Sequence, residues 1–160
     1  MKYPVTFILI ASLSLGAAGV TQADDDEGQR YSASNPVWKT ECGSCHIAYP
    51  PQLLPARSWH VMLSQLDKHF GTDASLDPKV AAQISTFLET NAGRDRSSSA
   101  QPVLRIGETR WFLREHDEVP ARLWKSASVK SPSNCAACHV NAEQGDYNEH
   151  SIRLPKQRSL

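Results

Sequence analysis

Cys42-Gly43-Ser44-Cys45-His46 and Cys135-Ala136-Ala137-Cys138-His139 use up all four cysteines of the chain. On a helical turn, two cysteines three residues apart face the same way. Both sulfurs can then form thioethers with the two vinyl arms of one porphyrin, and the histidine that follows points its imidazole at the iron. The motif occurs twice, which implies two covalently attached c-type haems. A zinc site with four thiolates is the competing reading. Zinc does not require a histidine directly after each pair, and its ligand pairs usually lie closer together than the 93 residues between Cys42 and Cys135. A thioredoxin-like dithiol is disfavoured because no alternation of strands and helices is evident.

The sixth position on each iron decides what such a protein can do: a saturated iron passes electrons, and an open one binds small ligands. Met62 is the single methionine apart from Met1, so at most one haem can be ligated by His and Met. Beyond the proximal His46 and His139, four histidines remain: His60, His69, His116 and His150. A lone histidine is more often a surface or satisfied residue than a ligand, so the elements that carry these residues must sort them.

The chain reads as helices and loops, with no convincing strand. Asn35 can cap a helix starting at Pro36 and leading into the first motif, which Pro50, Pro51 and Pro55 forbid from continuing. Ser58 is read as the cap of a second helix ending at Gly71, with Trp59, Met62, Leu63, Leu66 and Phe70 on one face. At about 100° per residue, His69 falls within about 20° of Met62 on that helix, while His60 lies on the other flank. Asp77-Pro78 opens a third helix, with Val80, Ile84, Phe87 and Leu88 inward and Asn91-Ala92-Gly93 closing it. Thr109 caps a short helix that stacks Phe112 under His116, and Asn134 is read as capping a second haem helix that Gly145 ends. His150 sits in a polar tail. The spacing from His46 to His69 equals that from His116 to His139, 23 residues, with distal and proximal order reversed. Sequence leaves open whether each distal ligand serves its own half or the other.

Residues 1–23 read as a secretory signal peptide: Lys2, an uncharged apolar run from Val5 to Val20, then Thr21-Gln22-Ala23 before the acidic Asp24-Asp25-Asp26-Glu27. No later segment has the apolar length a bilayer requires, so a soluble, periplasmic mature protein is expected. The remainder suits two very small domains, 24–92 and 103–160, joined by a linker over 93–102 that lacks periodic apolar residues. Each buries little apolar surface by itself, and a porphyrin supplies the missing core. Formal charge is −4 from Asp24 to Ala92 and +3 from Gly93 to Leu160, an asymmetry that can orient a redox partner. No arginine stripe with interleaved aromatics points to nucleic acid.

The run from Cys42 to Pro51, Leu54-Pro55-Ala56-Arg57-Ser58-Trp59, His69-Phe70-Gly71, Arg110-Trp111 with Glu115-His116, and Asn134 to His139 together resemble the dihaem cytochrome c family. That resemblance spans essentially the whole chain after residue 23. It implies a mainly α protein whose N-terminal domain is similar to class I cytochromes c and whose C-terminal domain wraps short helices and loops around the second haem. It also implies a small periplasmic electron carrier, not an enzyme, with two low-potential, bis-histidine haems. His69 would join His46 on the first iron, and His116 would join His139 on the second. The resemblance further implies a high-spin, oxygen-binding monohaem cytochrome c as acceptor and a membrane cytochrome b as candidate donor. Two other readings are an enzyme with one open haem, such as a peroxidase or small-ligand reductase, and the small dihaem subunit of a periplasmic reductase.

Overall fold

The computed structural model describes residues 31–96 and 98–155; the proposed signal peptide lies outside them. Pro36 lacks a backbone N–H and has its φ preset for a helix, so it suits the first helical position, where that donor would go unused. Helix α1 accordingly spans Pro36–Gly43, with the Asn35 Oδ1 accepting the Trp38 N–H at 3.1 Å. Cys42 lies on its last turn, and Cys45 and His46 follow just beyond the helix. Helix α3, Pro78–Thr90, starts the same way: Asp77 Oδ1 accepts the Lys79 and Val80 N–H groups at 2.8 and 3.4 Å. Its buried Ile84 and Leu88 pack with Trp38, Leu54 and Trp59 into the core of the first half, with Val80 and Phe87 against them. The buried indole of Trp59 donates to the Pro51 carbonyl at 2.7 Å, locking the loop after the first motif onto this core.

Helix α2, Ala56–Leu63, departs from the sequence reading at both ends. Pro55 holds the extended backbone that precedes a helix (φ −72°, ψ 158°), and its carbonyl accepts the Ser58 N–H at 2.9 Å. The helix therefore begins two residues before Ser58, whose side chain is fully buried instead of capping. At the other end the Ser64 hydroxyl takes the Val61 carbonyl at 2.8 Å, and the chain turns into a short 3₁₀ segment, Leu66–Lys68. A run of consistent hydrophobic period was overridden by a local side-chain-to-backbone bond.

Residues beyond Thr90 first run extended along α2. The Gly93 N–H donates to the Leu54 carbonyl at 2.9 Å, and Arg57 pairs with Asp95 at 2.5 Å and donates to the Ser99 carbonyl at 2.9 Å. Ile106 then packs against the first core. Helix α4, Arg110–Glu115, is capped by the Thr109 hydroxyl as its sequence predicts, and α5 covers Ala121–Trp124. The helix expected after Asn134 is not formed: the Asn134 side chain donates to the Val129 carbonyl at 3.0 Å, and only 3₁₀ turns, Cys135–Ala137 and Ala142–Gln144, follow. Among the described residues there is no strand, only three isolated bridges, and no helix is long and apolar enough to cross a membrane.

Two glycines are required by close approach. A Cβ on Gly93 would collide with the Gln52 carbonyl. Gly145 closes its turn at φ +74°, and a Cβ there would strike the Tyr31 carbonyl, whose own N–H donates to the Gly145 oxygen at 2.9 Å. Gly93→Ala and Gly145→Ala should each lower stability by about 1–3 kcal/mol in thermal unfolding of the complete protein.

Candidate haem sites

The first motif faces a cavity of about 880 Å³ lined by Cys42, His46, Met62, Leu66, His69 and Arg105, among others, within the roughly 300–1,000 Å³ usual for bound cofactors. His69 reaches it from a tight turn after the 3₁₀ segment, not from α2, so the face it was predicted to share with Met62 does not exist. Phe70 follows at φ 49° and Gly71 at φ 96°, and the Thr72 N–H donates to the His69 carbonyl at 3.0 Å. The turn aims the ring at His46, with centroids 6.2 Å apart and planes at 26°. In the second half, His116 ends α4 and faces His139 across 6.1 Å, planes at 71°. Each facing pair lies within one half.

His60 and His150 join neither pair. The side chain of His60 is 70% exposed and stands 3.4 Å from Glu89, and His150 is exposed on a turn near the end of the described chain.

Two imidazoles binding one metal from opposite sides, each nitrogen about 2 Å from it, have centroids roughly 6.4 Å apart. Both observed separations suit a metal between the rings. Nitrogen bookkeeping agrees. His46 Nδ1 donates to the Ile47 carbonyl at 2.7 Å and His116 Nδ1 to the Phe112 carbonyl at 2.9 Å, which leaves each Nε2 with a free lone pair. In the opposing rings, His69 Nδ1 and His139 Nδ1 are buried without a hydrogen-bond partner. Burial holds His69 below the ordinary imidazole range, with His46 and Arg105 adding to the effect. His139 is lowered by burial and by His116, against an opposing pull from Asp146. Neutral imidazole is the form that ligates metal.

The cysteines do not suit zinc. Burial, with Glu41 nearby, pushes the Cys42 thiol up to about 11, and burial pushes Cys135 to about 11. Among the described residues no three His, Cys, Asp or Glu side chains converge on a metal position. What the thiols and facing imidazoles do fit is one haem per motif, held by Cys42 and Cys45 in the first and by Cys135 and Cys138 in the second.

A family model of dihaem cytochrome c matches residues 38–147. The chain belongs to the dihaem cytochrome c family. It therefore carries two covalently bound haem c groups. It is similar to a solved dihaem cytochrome c from Rhodobacter sphaeroides, at 46% identity and a TM-score of 0.64, over 70% of this chain and 95% of that one. It is also similar to the dihaem cytochrome c of Shewanella baltica OS155, at 40% identity and a TM-score of 0.67, over 76% and 93% of the two chains. No curated protein matches the sequence. Proteins of the family are typically electron carriers, and the mainly helical, strand-free architecture agrees with the solved relatives.

Of the residues that brace these rings, sequence reasoning found Phe112 and missed the others. Tyr49 stacks on His46 with centroids 4.6 Å apart, Phe112 stacks on His116 at 4.0 Å, and Trp124 lies 5.8 Å from His116. The Arg105 guanidinium sits 4.1 Å from the Phe70 ring, itself against His69. Only the Phe112–His116 spacing carried a signal in advance. Replacing Cys135 and Cys138 together by serine should leave one covalent haem, halving the iron-to-protein ratio of the purified chain.

Proposed function

We propose that this dihaem cytochrome is a periplasmic single-electron carrier in which His46 with His69, and His139 with His116, would hold the irons of two low-potential haems. The observation that carries this reading is the pair of facing imidazoles at nearly equal separation. A haem c held by two imidazoles passes one electron without changing ligands, and lacks the thioether that raises the potential of His/Met cytochromes. The chain's part is to keep the rings in place before and after transfer: carbonyls of Ile47 and Phe112 fix two tautomers, and Tyr49 and Phe112 hold ring planes by stacking. Two imidazoles per site leave no room for a small ligand, which favours a carrier over an open-haem enzyme. Residues 24–92 and 103–160 would each hold one haem, with 93–102 tied along α2 between them.

Absorption spectra test the ligands. His69→Ala and His116→Ala should each convert one haem to a high-spin form, while His60→Ala and His150→Ala leave both low-spin. Met62 also lines the first cavity, so a clearly positive couple in a redox titration would give Met62 the role assigned to His69.

The formal charges, −4 over residues 24–92 and +3 over 93–160, support steering of a redox partner by charge. The proposed acceptor is a high-spin monohaem cytochrome c and the proposed donor a membrane cytochrome b. In stopped-flow mixing with such an acceptor, the second-order oxidation rate of the reduced protein should change strongly between low and high ionic strength. A salt-independent rate would remove the steering argument.

A further inference from the structure

Tyr49 stands where the two halves meet. Its ring stacks on the His46 imidazole at 23°, and its hydroxyl donates to the Ser133 carbonyl at 2.5 Å, two residues before Cys135. Tyr49, His46, Ser133 and Cys135 line one cavity of about 950 Å³ that opens between the two motifs.

Both ends of this link are held rigidly. On the tyrosine side, Pro50 and Pro51 are buried, the Leu53 N–H donates to the Pro50 carbonyl at 3.1 Å, and Trp59 holds the Pro51 carbonyl. On the other side, the Ser133 N–H donates to the Ser131 hydroxyl at 3.1 Å, and Asn134 is tied to the carbonyl of fully buried Val129. A tyrosine hydroxyl on an exposed loop would ordinarily donate to water. Here it spans 84 residues of sequence to reach a carbonyl beside the second attachment motif.

We propose that Tyr49 is the positioning residue that couples the two haem sites, fixing the first axial imidazole against the segment that carries the second site's thioether cysteine. This rests on the reading of His46 as an iron ligand. Between the His46 ring and Cys135 the route crosses one ring-to-ring contact and one hydrogen bond, and the remainder is covalent backbone from Ser133 to Cys135. Stacking keeps the imidazole plane fixed, and the hydrogen bond keeps the spacing between sites fixed. Exchange of one electron between haems depends on both.

The test uses the complete dihaem protein with Tyr49→Phe and Tyr49→Leu. The readouts are the rate at which one photo-injected electron redistributes between the haems, the spin state by absorption, and the thermal unfolding temperature. Tyr49→Phe keeps the stacked ring and loses only the hydrogen bond. It should slow redistribution several-fold with both haems still low-spin and with only a small drop in unfolding temperature. Tyr49→Leu, which loses the stack as well, should slow it further; if that variant fails to take up haem, Tyr49→Phe alone decides. Unchanged redistribution in Tyr49→Phe, with low-spin spectra intact, overturns the coupling role and leaves the ligand reading standing. A high-spin first haem in the unaltered protein overturns the ligand reading itself.

Discussion

Each half of the molecule is organised around a pair of facing imidazoles beside its Cys-x-x-Cys-His motif. Facing imidazoles are kept about 6 Å apart by backbone carbonyls that fix ring nitrogens and by aromatic rings that fix ring planes. The turns that present the histidines are over-determined: His69 by a 3₁₀ segment and two consecutive positive-φ residues, His116 by bonds from its N–H and its Nδ1 to the Phe112 carbonyl at the C-terminal end of α4. Covalent attachment through two sulfurs per site makes each haem c a permanent part of the interior.

The two halves differ in how much apolar interior they supply themselves. The first has a contiguous buried cluster of two tryptophans, two leucines and an isoleucine spread over three helices and a loop. The second buries Phe112, Leu123, Val129 and Ala142 among short turns, many of them closed by serine and asparagine side chains. So small an apolar interior is marginal alone. The second half consequently leans on its porphyrin and on contacts with the first: Tyr49 to Ser133, and Tyr31 to Gly145 and to the Tyr147 ring.

Where cap chemistry and proline geometry act within a few residues, the sequence was readable. Asn35-Pro36, Asp77-Pro78 and Thr109 all start helices where expected, because each satisfies the orphan donors of a first turn. Ser58 looks equally good as a cap, yet Pro55 upstream had already set the extended entry, and the hydroxyl was carried into the core. Gly71 and Gly145 both read as helix stops; Gly71 lies in a turn beyond the end of α2, and Gly145 stops only the 3₁₀ turn Ala142–Gln144, not a helix from Asn134. The His69 and His46 rings do face each other, although the helical face used to select His69 does not exist. Arg105 over Phe70 and Tyr49 against Ser133 join residues far apart in the chain, and no local pattern encodes such pairs.

The Tyr31–Gly145 contact joins residues 114 positions apart. The cluster around Trp38 is complete in composition once Ile106 has been added, whereas the turn at Gly145 takes its backbone bond from the first described residue of the other half. Closing so long a loop adds only slowly to the entropic cost as length grows. The turn that closes the second site is thus tied to the first half at little more cost than a loop half as long.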